Sequence, residues 1–175
     1  MPLLRQIAQL GHPALRAPAR PAILPASDAL RALAGDMMAT MRDADGVGIA
    51  APQVFESASL FIVASRPNPR YPDAPLMEPE VVVNPEIVGR SDEVVKGWEG
   101  CLSIPGIRGF VPRHRWIRAR YRTLDGAEVV RDFEDFIARV FQHEDDHLRG
   151  IVFLDRLEST RDIVTEKEFQ RQGRR

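Results

Sequence analysis

The chain has 175 residues but a single cysteine, Cys101, so it can form no internal disulfide, and a reducing compartment is the expected setting. It lacks any run of 18 apolar residues, the length a membrane-spanning helix needs. It also lacks an excess of one charge. The 24 Lys and Arg against 25 Asp and Glu leave a formal net charge of −1, which argues against a general DNA-binding or membrane-surface role. No internal repeat or low-complexity tract is visible. Met1-Pro2-Leu3-Leu4-Arg5-Gln6-Ile7 does not supply the continuous apolar stretch of a signal peptide. Patterned sequence starts within a few residues of it, so neither secretion nor organelle import is expected. What is present, 44% hydrophobic and 28% charged residues, describes one cytoplasmic globular domain large enough to bury a core. The 14 prolines, concentrated before Pro25 and between Pro67 and Pro85, mark two irregular surface regions.

Hydrophobic spacing places the main elements. Ser27-Asp28 offers an N-cap, and Leu30, Leu33, Ala34, Met37, Met38 and Met41 recur as the apolar stripe of a helix ending near Asp45-Gly46. Gly46-Val47-Gly48-Ile49-Ala50-Ala51-Pro52-Gln53 follows as a small-residue loop that a ligand or a backbone can approach closely. Residues 59–64 and 81–84 read as strands separated by a proline-rich loop over 66–79. In 116–122 Ile117, Ala119 and Tyr121 alternate with Arg118, Arg120 and Arg122. Asp125-Gly126 then turns the chain into 128–130, giving a hairpin with a solvated arginine face. From Asp132 the period becomes helical through Phe133, Phe136, Ile137, Val140, Phe141, Glu144, His147 and Leu148, with Gly150 as terminator. A further helix is expected over 161–171.

Gln142-His143-Glu144-Asp145-Asp146-His147 carries two of the four histidines. Positions i and i+4 share a helix face, so both imidazoles can reach one metal ion with the intervening glutamate beside it, the HExxH pattern of metal-dependent hydrolysis. Glu144 projects into the apolar arc of this helix, where a carboxylate is costly unless the site requires it. A third protein ligand is needed. The position six residues after His147 holds Phe153, which cannot serve. Glu166 and Glu168 lie about twenty residues downstream, as in one family of zinc endopeptidases. Cys101 lies upstream and is the softest donor available. It has two other readings, a small buried hydrophobe or a nucleophile paired with His143.

Three blocks occur together in order: Gly46-Val47-Gly48-Ile49-Ala50-Ala51-Pro52-Gln53, Glu99-Gly100-Cys101-Leu102-Ser103 and Gln142-His143-Glu144-Asp145-Asp146-His147-Leu148. They resemble the three signature motifs of the peptide deformylase family. The likeness runs from Gly11-His12-Pro13-Ala14-Leu15-Arg16 to about Leu157.

The resemblance implies an α+β single domain, with short antiparallel or mixed sheets around a central motif-bearing helix and a helix at the C-terminus. Residues 1–168 would be the catalytic domain and 169–175 a basic tail. The implied activity removes formate from the formyl-methionine that begins newly made polypeptides. Cys101, His143 and His147 would hold one divalent ion, Fe²⁺ in the cell, with Zn²⁺, Ni²⁺ or Co²⁺ able to replace it. Glu144 would be the general acid/base, and Gln53 with the Leu102 N–H would stabilise the oxyanion. Gly48 and Gly100 would flank an extended substrate, and Val47, Phe136 and Val140 would line the methionine pocket. Arg108 stands where the family often has an arginine near the substrate, or is a surface arginine. Asp135 replaces a frequent family glycine at the start of the motif helix, where an acid can serve as a cap. The partners implied are formylated nascent peptides. A transient ribosome contact is a separate expectation, in which the tail Arg171-Gln172-Gly173-Arg174-Arg175 could meet RNA, although a disordered tail is the stronger reading. The rival reading is a zinc endopeptidase using Glu166 or Glu168.

Overall fold

The computed structural model describes residues 2 through 173. Helix α1, Asp28–Asp43, starts where the Ser27 hydroxyl accepts the Leu30 N–H at 3.3 Å, and buries Leu33, Ala34, Met37 and Met41. The small-residue block that follows is not one loop. It forms strand β1, Gly48–Ala50, and a 3-10 turn, Ala51–Val54, both fully buried. Strand β2, Leu60–Ser65, is buried at every position. Strand β3 runs over Met77–Arg90, much longer than the 81–84 core legible from its valines, and includes Pro79.

The alternating arginine segment is strand β6, Trp116–Arg122, joined by a tight turn to β7, Glu128–Glu134. With them the first sheet is antiparallel in the order β1-β2-β3-β6-β7. Its arginine face is solvated: Arg118 pairs with Asp132 at 2.7 Å, Arg120 with Glu86 at 2.7 Å and Arg122 with Glu128 at 2.9 Å.

The second sheet has no counterpart in the hydrophobic periodicity. Strand β4, Val94–Cys101, pairs with β5, Ile104–His114, and β5 pairs in turn with β8, Ile163–Thr165. Gly97, Gly100, Pro105, Gly106, Gly109 and Pro112 break the alternation of apolar residues along this stretch.

Helix α2, Asp135–Leu148, packs against the first sheet, with Phe141 at the centre of an aromatic group. Its ring lies 4.9 Å from Phe61 and 5.1 Å from Phe133. Two boundaries differ from the spacing-based reading. Residues 132–134 are strand, because Phe133 faces the core from a ladder in which Arg118 opposes Asp132 and Trp116 opposes Glu134. A strand residue and a helix residue can both supply the next member of an i, i+3 series. The expected helix over 161–171 survives only as α3, Glu166–Arg171, since the β-branched run of Ile163, Val164 and Thr165 pairs with Ile107, Arg108 and Gly109 instead.

Asp135 does not cap α2. It adopts φ +48, the left-handed conformation that favours glycine, and its carboxylate accepts from Arg115 at 2.9 Å. Gly150 ends the helix as expected. At φ +73 it passes so close to residue 16 that a Cβ would stand 2.4 Å from the Arg16 carbonyl oxygen. Phe169, on the tail side of the boundary read at 168, is buried in the fold, and its ring lies 5.5 Å from Trp98. Arg174 and Arg175 of the basic tail lie outside the described residues. No described helix is long and apolar enough to cross a membrane.

Candidate active site

The site forms where the free edges of the two sheets approach α2. β1 is an outer strand of the first sheet and β4 an outer strand of the second. β1 brings Gly48, the 3-10 turn brings Gln53, the end of β4 brings Gly100 and Cys101, and α2 brings His143, Glu144 and His147. Val47, Gly48, Gln53, Gly100, Cys101, Leu102, Phe136, Val140, His143 and Glu144 line one cavity, with about 30 Å³ of free volume.

The Cys101 Sγ and one nitrogen from each of His143 and His147 lie within 4.8 Å of one another, all from buried residues. The sulfur is 3.3 Å from His147 Nε2. Burial alone would raise the Cys101 thiol, but the adjacent His147 and His143 rings hold it well below its ordinary value. One soft and two borderline donors converging in a buried place suit a single transition-metal ion. Glu166 and Glu168 are engaged elsewhere: Glu166 pairs with Arg108 at 2.7 Å and Glu168 with Arg171 at 2.9 Å.

Glu144 is 4% exposed, and its Oε2 has no hydrogen-bond partner among the described residues. Burial pushes its pKa up to about 7, against the lowering influence of His143 and His147. A carboxyl group balanced in this way can exchange a proton near neutrality. Gly48 makes room for it, since a Cβ there would sit 2.4 Å from Glu144 Oε1. Gln53 is fixed at both ends. Its carbonyl oxygen accepts the Ala50 N–H at 2.8 Å, and its Nε2 donates to Ser103 Oγ at 3.2 Å and to Cys101 Sγ at 3.5 Å.

Sequence reasoning missed the support beneath these groups. Glu99 accepts from His143 Nδ1 at 2.9 Å, which leaves Nε2 as the donor for a metal. Arg113 clamps Glu99 in a bidentate pair at 2.9 and 3.0 Å, and Arg139 adds a third bond at 2.9 Å. Burial opposes the Glu99 charge, but Arg113 and His143 hold its carboxyl far below the usual glutamate range. Arg113 is itself held by Asp146 at 2.5 Å, and Asp146 by Arg156 at 2.6 Å. Asp146 stands inside the motif, but nothing local indicates its partners. Arg108 is not a surface residue: it is 1% exposed, lies beneath the groove adjoining the cavity, and pairs with Glu166 of α3.

A glutamate with an unpartnered oxygen, set in one buried site with a sulfur and two imidazole nitrogens, defines the class as a metal-dependent hydrolase. Comparison with known proteins narrows the class. Residues 4–162 match the polypeptide deformylase family. A peptide deformylase 2 from Nostoc sp. is 53% identical over 169 residues, spanning 97% of this chain and 94% of its own length. One from Shewanella oneidensis is 58% identical over 129 residues, 74% of this chain and 71% of that one. A crystal structure of the class I type b peptide deformylase from Acinetobacter baumannii, with Met-Ala-Ser bound, superimposes with a TM-score of 0.87 at 48% identity, covering 90% of this chain and 100% of that chain. The chain therefore belongs to the polypeptide deformylase family, metal-dependent enzymes that remove the N-formyl group from nascent polypeptides.

Proposed function

We propose that this site deformylates formyl-methionyl peptides, with Cys101, His143 and His147 as the ligands of one ion. Fe²⁺ is the ion we assign in the cell, with Zn²⁺, Ni²⁺ or Co²⁺ able to occupy the same mixed sulfur and nitrogen set. When bound, such an ion acidifies water towards neutrality and polarises a carbonyl.

The chain's own groups do the rest. A water oxygen adds to the formyl carbon as Glu144 takes its proton. The C–N bond then breaks, and Glu144 delivers a proton to the departing amine, which would otherwise leave as an unstable anion, while formate is released. The Gln53 amide and the Leu102 N–H receive the charge developing on the formyl oxygen, a role in which one donor is typically worth about 3–4 kcal/mol. The substrate lies extended between β1 and β4, where Gly48 and Gly100 allow backbone approach, and its first side chain enters between Val47, Phe136 and Val140. Arg108, buried beneath the adjoining groove, acts on later residues through the groove wall.

The catalytic unit runs beyond residue 168 through α3, whose Phe169 and Gln170 help to line the groove. The enzyme works in the cytoplasm and meets its substrates at the ribosome, where formylated chains emerge. The single observation that carries this reading is the buried, unpartnered Glu144 oxygen beside the three donors.

Glu144→Gln tests it. The variant should retain stoichiometric metal yet lose about 10²–10⁴-fold in formate release from formyl-Met-Ala-Ser. Turnover close to that of the unaltered enzyme would remove Glu144 from its assigned role.

A further inference from the structure

The two groups assigned to the oxyanion belong to different sheets. Gln53 lies on the 3-10 turn, Ala51–Val54, that follows β1 of the first sheet. Leu102 lies on the two-residue turn that joins β4 to β5 in the second, where Cys101 opposes Ile104. The N-terminal segment connects these turns. The Ala8 N–H donates to the Gln53 backbone carbonyl and the Leu10 N–H to the Ser103 backbone carbonyl, both at 2.8 Å. Two residues of chain span at most about 7 Å, so the segment holds the two turns to one separation. Ala8, Gln53 and Ser103 are all buried.

The segment is anchored at both ends. At its start the Leu3 N–H donates to Asp36 Oδ1 at 2.7 Å, the Arg5 N–H to Thr40 Oγ1 at 2.9 Å and Arg5 Nε to Asp36 Oδ2 at 2.9 Å, all on α1. At its end the His12 N–H donates to the Gln9 carbonyl at 3.0 Å, closing a turn with Leu10 and Gly11 at its centre. Gly11 has φ +104 and follows a residue of negative φ, the pattern of a type II turn. Leu10 is the second residue of that turn, a position whose conformation suits proline.

We propose that residues 3–10 form a strap that sets the spacing of the two oxyanion donors, with Leu10 as its positioning residue. The proposal rests on the deformylase reading of the site. The Leu10 N–H touches no reacting atom. It fixes the Ser103 carbonyl, and the Leu102 N–H on the same two-residue turn is thereby aimed at the place the formyl oxygen occupies. Gln53 Nε2 donates to Ser103 Oγ at 3.2 Å, so the turn is gripped from two directions. Donors of this kind act through placement that precedes the reaction. Loosening the strap therefore slows the chemical step and leaves the metal ligands and the substrate groove as they are.

Leu10→Pro deletes the N–H and keeps the turn, while Leu10→Ala keeps both and serves as its control, the Leu10 side chain being largely solvent-facing. In the metal-loaded full chain acting on formyl-Met-Ala-Ser, Leu10→Pro should lower kcat at least about tenfold, part of the 10²–10³-fold that a whole donor typically supplies. KM should stay within about twofold and metal content should not change, and Leu10→Ala should match the wild type within about twofold. A smaller fall in kcat, an equal fall in both variants, a fall carried by KM, or a loss of bound metal overturns the proposal. If the proline variant does not fold, the α-hydroxy analogue of leucine at position 10 removes the same N–H without a ring, and the same outcomes decide. A second measurement does not depend on turnover: backbone NMR order parameters of Leu102 and Ser103 in the zinc-loaded protein should be lower in Leu10→Pro than in Leu10→Ala, and equal values overturn the proposal. Absence of formate release by the wild type would count against the deformylase reading, and the order parameters would then decide the strap alone.

Discussion

One added methyl group, Gly48→Ala, tests whether the position of Glu144 matters as much as its presence. A Cβ at Gly48 would lie 2.4 Å from Glu144 Oε1, 2.7 Å from Cδ and 2.8 Å from Cγ. Ordinary van der Waals contact begins near 3.4 Å, so the carboxylate has to retreat by about 1 Å. It has little space to do so, because Gly48 and every α2 residue from Val140 to Leu148 are buried. Displacing a catalytic group by about 1 Å costs about a hundredfold in rate. Overpacking a dense interior adds a stability cost of about 1–3 kcal/mol. In a chain of this size each kcal/mol lowers Tm by roughly 2–4 °C. The three atoms nearest the methyl group all belong to Glu144, and none to Cys101, His143 or His147, so metal content should be unchanged. The expected result is full metal occupancy, kcat about a hundredfold lower by formate release, and a depressed melting temperature. Full occupancy with turnover within about twofold of wild type would refute the reasoning, because Glu144 would then tolerate a displacement the mechanism forbids.

Cys101→Ala should abolish stoichiometric metal binding, measured on anaerobically purified protein, whereas Glu166→Gln and Glu168→Gln should keep it. The reverse pattern would revive the endopeptidase ligand set. Arg113→Met strands two buried carboxylates, leaving Glu99 to Arg139 and Asp146 to the half-exposed Arg156. Unfolding in urea should show a loss of about 3–5 kcal/mol, and a loss under about 1 kcal/mol would mean that the remaining arginines suffice. The hydrogen bond from Arg108 lowers the pKa of Glu166 despite its partial burial. A carboxyl group depressed in the folded state stabilises it fully above the unfolded pKa, and that contribution is lost as pH falls through the folded value. The melting difference between wild type and Glu166→Gln should therefore be largest near neutral pH and shrink in acid; a difference that grows in acid would contradict the pairing.

How far the site was legible can be argued from particular residues. His143, Glu144 and His147 are a local signal, because a helix repeats its face every three to four residues and the chemistry needs that interval. The same periodicity revealed α1 and most of α2, and alternation revealed β6. It failed at Phe133, where a strand runs into a helix and one buried residue satisfies both periods. It failed again over 94–114, where glycines and prolines obscure a hairpin whose pairing is set by backbone hydrogen bonds.

By itself the sequence determined the donor types, their spacing on α2, the three blocks and hence the family, since these are properties of short stretches whose chemistry is written in residue identity. Tertiary structure alone decided that Glu99 orients His143, that Arg113 joins Glu99 to Asp146, and that Arg108 is buried against Glu166. Each of these joins residues far apart along the chain, where no local period relates the partners. Only strand pairing in the second sheet and the packing of the sheets with α2 and α3 bring them within hydrogen-bonding reach, and the charged groups are buried so far that each requires its partner.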